Sequence, residues 1–202
     1  MSKVVIAGDA SGTGTFTISA PNGNTDRTLV LPDEAGTIIT TAGVPASAMP
    51  AGSVLQVVQV SSRSNIAITV DTTWTDTGLS ASITPSNTSS KILVLVRATV
   101  LVDRISGADN LGAIGMYRDT TQLGDTFGMV RAYDRGSSGI QLQIPFVVNY
   151  LDTPNTTNSV EYSIYGYRNT STSTFSFNPS EGIQFGGNST SATTIILMEI
   201  AG

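Results

Sequence analysis

Residues 74–96 run Trp74-Thr-Asp-Thr-Gly-Leu-Ser-Ala-Ser-Ile-Thr-Pro-Ser-Asn-Thr-Ser-Ser-Lys-Ile-Leu-Val-Leu-Val96. This reads as a strand, a polar turn and a long buried strand, with no side chain suited to chemistry. Further strand-like runs fill the chain from Ser53 onward: Val54 to Val60, Ile66 to Val70, Leu79 to Thr84, Ile92 to Val102, Ala113 to Tyr117, Ile140 to Tyr150, Val160 to Tyr167, Phe175 to Phe177 and Thr194 to Ile200. Gly, Asn, Ser, Asp or Pro clusters separate them, and no window of helical length sustains a 3.6-residue period. The pattern predicts an all-β fold over residues 53–202, a length that one sandwich or barrel routinely occupies.

The strands differ in how they use their two faces. Val160, Tyr162 and Ile164 alternate as expected for one buried face, which puts Tyr165 and Tyr167 on the opposite side. Ile92 to Val96 and Ile195 to Met198 are apolar on both faces. Their second face lies either under a loop or against another subunit. Pro145 cannot donate to a ladder, so it is expected at an edge, a bulge or a break.

Composition narrows the chemistry. Cysteine and histidine are both absent, which excludes disulfides, Cys-His zinc sites, thiol nucleophiles and a Ser-His-Asp triad. Ten Lys and Arg stand against fifteen Asp and Glu. The ten are scattered singly from Lys3 to Arg168, which leaves no basic stripe for a nucleic-acid backbone. Charged residues are 12% of the chain and Ser plus Thr about a quarter, so the expected surface carries hydroxyls and amides. Runs such as Ile92 to Val96 fall far short of the roughly 18 apolar residues of a membrane span. Met1 to Ala7 is too short for a signal-peptide core before Gly8 and Asp9. The expectation is a chain made and used without export by a signal sequence.

Residues 1–40 carry short β-like runs separated by Gly, Asp, Asn and Pro, and are expected to form an extended arm. Its large apolar residues are Val4, Val5, Ile6, Phe16, Ile18, Leu29, Val30, Leu31, Ile38 and Ile39. Ten such side chains bury too little to offset the entropy of ordering some forty residues. The arm therefore needs a partner surface. Residues 41–52 are small and interrupted by Pro45 and Pro50, as in a semi-rigid extended linker.

Several patterns suggest sites on first sight. Lys3 to Gly14 resembles the strand and glycine-rich turn of a nucleotide-binding unit, but Thr15 to Ser19 is β-rich where a helix must open, and no Lys-Ser/Thr pair follows. Asp71 with Asp76, and Asp103 with Asp109, lack the spacing of a calcium loop, so turn and capping roles are expected of them. No specific pair among the acids marks a glycosidase, and no cofactor or metal is expected. Trp74, Tyr117, Tyr133, Tyr162, Tyr165 and Tyr167 are the aromatic candidates for a sugar-stacking surface, against the alternative of filling a core or a subunit seam. Tyr165 and Tyr167 are the two placed for an outward role. The sequons at Asn87, Asn155, Asn169 and Asn188 follow from the Ser/Thr content alone.

Taken with Arg118-Asp-Thr-Thr-Gln-Leu-Gly124, Tyr150-Leu-Asp-Thr-Pro-Asn-Thr-Thr157 and Thr194-Ile-Ile-Leu-Met-Glu-Ile-Ala-Gly202, the stretch from Trp74 to Val96 resembles the jelly-roll modules on virion surface proteins of tailed bacteriophages, especially phages of aquatic bacteria. Gly14-Thr-Phe-Thr-Ile-Ser-Ala-Pro21 and Arg27-Thr-Leu-Val-Leu-Pro-Asp-Glu-Ala-Gly-Thr37 are similar to an element found upstream of such modules in phage fibre proteins. The resemblance implies a jelly-roll-like antiparallel β-sandwich that assembles as a homotrimer, made in the host cytoplasm and carried on the virion.

Two roles follow as expectations. In the first, a capsid cement or decoration protein spreads its arm over the major capsid protein through Val4, Val5, Ile6, Phe16, Ile18, Leu29, Leu31 and Ile38. In the second, a short tail-fibre or collar module binds a host glycan or protein. The chain has no long shaft or coiled coil, and the arm needs an external surface, which favours the first. A carbohydrate-binding module or enzyme is a third, weaker reading.

Overall fold

The computed structural model describes residues 11–15, 17, 22–24, 26, 28, 44–104, 110–134, 140–169, 173–178 and 192–202. The eight arm residues named above for capsid anchoring lie outside these. The chain divides into two units, Met1–Ile38 and Ile39–Gly202. In the first, the described residues include a bend at 22–24.

Among the described residues of the second unit, a 3-10 turn comes first, Ala46–Ala48, entered from an extended Pro45. Eleven strands follow among the described residues: β1 (Val54–Ser62), β2 (Ile66–Ile68), β3 (Thr75–Ile83), β4 (Lys91–Arg104), β5 (Asn110–Arg118), β6 (Thr121–Leu123), β7 (Val130–Asp134), β8 (Ile140–Asp152), β9 (Val160–Arg168), β10 (Ser173–Phe177) and β11 (Thr193–Ile200). Every strand–strand pairing is antiparallel.

The long β4 organises the six-stranded sheet. One flank pairs with β11 along Lys91–Arg97 and with β10 along Val100–Arg104, and the other flank pairs with β8. β1 pairs with β11, and β2 with β10. Thus β1 and β2 share one lane, and β11 and β10 the next. The second sheet runs β3-β9-β5, with β6 and β7 both on the far flank of β5.

Followed in sequence, the chain crosses from sheet to sheet: β1 and β2 in the first, β3 in the second, β4 in the first, β5 to β7 in the second, β8 in the first, β9 in the second, β10 and β11 in the first. Eight lanes wrapped in this order, four to a sheet, make a jelly-roll sandwich. Pro145 sits in β8 opposite Thr99. Among the described residues β8 pairs only with β4, so the missing N–H falls on an edge strand.

The core lies between the sheets and follows strand parity. Ile92, Val94, Val96, Ala98, Val100 and Val102 of β4 are all buried, as are Phe175, Phe177, Ile195 and Leu197 in the neighbouring lane. Ile114, Met116, Tyr162 and Ile164 meet them from the second sheet. Two inward positions must be glycine for the sheets to approach. A Cβ on Gly166 would lie 2.6 Å from Ile68 Cδ1 and 3.0 Å from the ring of Phe177, and one on Gly112 would overlap the ring of Phe175.

Asn178 closes the lane where β10 ends. It is fully buried, with φ of 48°, a conformation Asn tolerates better than most residues. Its side-chain amide donates to the carbonyls of Ser62 (2.9 Å) and Ser64 (3.2 Å), and its Oδ1 accepts from the Thr193 hydroxyl at 2.8 Å. One side chain thereby ties the end of β1 to both pieces of the adjacent lane.

Candidate functional site

Part of the outward face of the six-stranded sheet is apolar where an antiparallel sheet facing water is normally polar. Register aligns Val57 of β1, Met198 of β11, Leu93 of β4 and Leu151 of β8 in one row across four strands. The next row is Gln59, Ile196, Leu95 and Asn149. Val54 lies opposite Ile200 on the other side of the first row.

Val54, Val57 and Leu151 are each at least half exposed, at 50%, 56% and 52%, and the others are partly exposed. Strands about 4.8 Å apart and outward residues about 7 Å apart along them give an apolar surface on the order of 300 Å². That is the scale of a functional patch on a monomer and of the apolar centre of a standard interface. Exposed Lys91 and Arg97 mark its two ends on β4.

The outward face of the second sheet is aromatic. Tyr165 and Tyr167 both lie there, half-buried, on the side of β9 opposite Tyr162 and Ile164. Tyr165 packs on Tyr117 with ring centroids 4.1 Å apart. Burial raises the pKa of both phenols. The neighbouring Tyr165 phenol adds to the shift at Tyr117, and the charges of Asp76 and Glu161 add to it at Tyr165.

Tyr167 meets Trp74 with centroids 5.3 Å apart and planes tilted by 48°. Trp74 rests on two glycines: a Cβ at Gly115 would stand 2.9 Å from the indole and one at Gly128 2.8 Å from it. Gly128 has φ of +93°, so its conformation as well as its size requires glycine.

Phe127 stands beside this pair on the turn between β6 and β7. It is 68% exposed. Its amide donates to Asp125 Oδ1 at 2.9 Å and the Gly128 amide to the Asp125 carbonyl at 2.9 Å, which defines the turn. Arg131 stands over the Phe127 ring at 5.4 Å and pairs with Asp125 at 3.1 Å. Trp74, Tyr167 and Phe127 line a cleft of about 250 Å³ together with Leu111, Ala113, Thr72 and Thr126.

Sequence reasoning singles out Trp74 and Tyr167 but misses Phe127. A phenylalanine in Gly124-Asp-Thr-Phe-Gly128 is a readable signal, since a turn bounded by glycines has no core to place it in. Of the other aromatic candidates, Tyr162 belongs to the core, fully buried, and Tyr133 is exposed on β7.

Several of the described acids have defined partners. Asp76 Oδ1 accepts from the Gly78 amide at 2.8 Å, the turn role expected of it, and Asp71 pairs with Arg168 at 2.7 Å. The side chains of Asp103 and Asp109 lie outside the described residues. Asp152 is buried and receives Arg118 Nη1 on both oxygens (2.8 and 3.0 Å) and the Tyr162 hydroxyl at 2.7 Å.

Glu199 is fully buried and accepts from Gln56 Nε2 (2.6 Å), the Ser86 amide (2.6 Å) and the Ser86 hydroxyl (3.1 Å). Burial alone would raise its pKa. The neighbouring Ser90 hydroxyl, with the donors from Gln56 and Ser86, reverses this and leaves the carboxyl below the ordinary glutamate value. Among the described residues, no group of three or more acids is placed to hold a metal ion.

No family model and no curated protein matches the chain. Among solved structures, it is similar to a chain of the infectious bursal disease virus particle, with TM-score 0.31 and 13% identity over 73% of this chain and 36% of that one. Chains of the Gx strain of the same virus (TM-score 0.29, 12% identity) and of its VP2 subviral particle (TM-score 0.29, 13% identity) are similar over 73% of this chain and 37% of theirs. The chain spans little more than a third of the length of these neighbours. The jelly-roll assignment rests on the strand pairing itself.

Proposed function

We propose that the chain is a structural protein of a tailed-phage virion, a homotrimeric cement or decoration protein whose arm spreads over the major capsid protein while the sandwich faces outward. The observation that carries the assembly part of this reading is the four-strand apolar row Val57, Met198, Leu93 and Leu151 on the outer face of the six-stranded sheet. A row of large aliphatics facing water is a standing cost that contact between copies removes. The resemblance in sequence to phage surface modules supplies the virion and the trimer, and the apolar content of residues 1–40 supplies the need for an external surface. No catalytic role is part of this reading.

A second reading, a tail-fibre or collar module that recognises a host surface, is favoured by the aromatic outer face of the other sheet. Copy number separates the two. A cement protein repeats with the capsid lattice and is abundant in the virion, whereas a fibre tip follows tail symmetry and is scarce. Quantitative mass spectrometry of purified virions against the major capsid protein is expected to give a lattice-like ratio. Deleting residues 1–40 is expected to abolish attachment to heads and leave the sandwich folded. A low ratio, with host adsorption lost and head stability unimpaired on deletion, would establish the fibre reading instead.

A further inference from the structure

We infer that the cleft between Trp74, Tyr167 and Phe127 is a binding site for one neutral sugar ring. The three aromatic residues lie on the outward face, where they contribute nothing to packing between the sheets. Trp74 and Tyr167 pack on each other in a tilted pair, centroids 5.3 Å apart with planes at 48°, and both line the cleft as one aromatic wall. The wall is built into the backbone: glycine at 115 and 128 lets the indole lie against the sheet, and the Asp125 turn presents Phe127 beside it.

A flat apolar wall with hydroxyls at its rim suits a ligand that has C–H faces and a polar edge, which is the description of a pyranose. The rim supplies Thr72 and Thr126. The charges nearest the cleft are already paired, Asp71 with Arg168 and Asp125 with Arg131. The site therefore offers donors and acceptors of both kinds without a net field, which selects a neutral ligand over an anion or a cation. At about 250 Å³ it is smaller than the roughly 300 Å³ at which drug-sized pockets begin. It takes a single ring of a glycan, with the rest of the chain running out into solvent. The inference needs only that this face stay uncovered: the proposed assembly runs through the other sheet, and the second reading of function uses this face.

The protein carries one tryptophan, and it is in the cleft, so its fluorescence reports occupancy directly. The experiment titrates the full-length protein with the methyl glycosides of glucose, galactose, mannose, fucose and N-acetylglucosamine, and with that of a sialic acid as the anionic comparison. A ring of about a dozen non-hydrogen atoms reaches about millimolar affinity. Saturable change of Trp74 emission is expected with at least one of the neutral glycosides.

Phe127→Ala, at an exposed turn where the fold is not at risk, and Tyr167→Leu are each expected to weaken that sugar about tenfold. Tyr133→Ala, an exposed aromatic outside the cleft, is expected to leave it unchanged. Absence of saturation with every glycoside up to about 100 mM, far beyond that affinity, would overturn the inference, as would binding unaffected by both cleft variants. A response confined to an anionic sugar such as a sialic acid would overturn its neutral character. None of these outcomes depends on the oligomeric state or on virion location, so the site can fail while the structural role stands.

Discussion

The hydroxyl of Tyr162 donates to the carboxylate of Asp152 across 2.7 Å, joining β9 of one sheet to the end of β8 in the other. Both side chains are buried. Arg118 of β5 holds the same carboxylate, so three strands from both layers meet at one charge. A buried carboxylate is tolerable only while its acceptor sites are filled.

Tyr162→Phe keeps the ring in the core and removes one donor from that carboxylate. It is expected to lower stability by about 1.5–3 kcal/mol, the range for a hydrogen bond to a charged group. Chemical denaturation measures it as a lower midpoint at unchanged slope. Burial, the Asp152 hydrogen bond and the Asp152 charge together raise the Tyr162 pKa far above its ordinary value. The folded phenol therefore keeps its proton where the unfolded one, with a pKa of about 10, begins to lose it. Its contribution is fully present below about pH 10 and falls as pH rises beyond that. Tyr162→Phe is expected to flatten that alkaline loss.

Glu199 works in the opposite direction. Its folded pKa lies below the unfolded value, so its contribution is present above the ordinary glutamate range, near pH 4.3, and is lost as pH falls through the folded pKa. The chain has no histidine, so stability is expected to be flat between pH 6 and about 8. Thermal midpoints across pH 3–8, compared with those of Glu199→Gln, check this. The amide sets a donor against Gln56 or Ser86, costs about 1–3 kcal/mol near neutrality, and removes part of the acid-side loss.

Association is expected to run through the outer face of the six-stranded sheet. Leu93→Asp and Met198→Glu each place a charge at the centre of the apolar row. On the proposed assembly they convert the full-length protein from trimer to monomer, measured by multi-angle light scattering. Circular dichroism is expected to remain that of a β protein, because neither side chain points into the core.

Gly112→Ala is expected to cost about 1–3 kcal/mol, the usual range for overpacking. The added methyl meets the Phe175 ring of the opposite sheet. Phe175→Leu in the same chain is expected to recover part of the loss, and a double-mutant cycle in denaturant measures the coupling.

Parity along each strand is local, and everything governed by parity is legible in the amino-acid sequence. It puts Val160, Tyr162 and Ile164 inside and Tyr165 and Tyr167 outside, and marks β4 and β11 as apolar on both faces; for Pro145 the missing N–H leaves edge, bulge and break open, and the pairing of β8 decides for the edge. The short β6 and the strand β7 are not legible in this way, because Thr-Gln-Leu and Val-Arg-Ala-Tyr-Asp carry too few large apolar residues to stand out from the turns around them, whereas the equally short β2 and β10 are marked by Ile66 and Ile68 and by Phe175 and Phe177. The pairings between lanes are decided only by the fold. Gln56 and Glu199 are 143 residues apart in sequence and share a hydrogen bond; nothing local marks that glutamate as buried.

The cleft arises the same way. Trp74, Tyr167 and Phe127 come from three separate segments, and they converge because β3 pairs with β9, β9 with β5, and the turn between β6 and β7 folds back on β5 through the Met129 amide and the Ile114 carbonyl. Alternation along a strand is set by the backbone of that strand alone. Convergence of distant side chains is set by which strands pair, and that depends on burying both apolar faces of the whole sandwich at once.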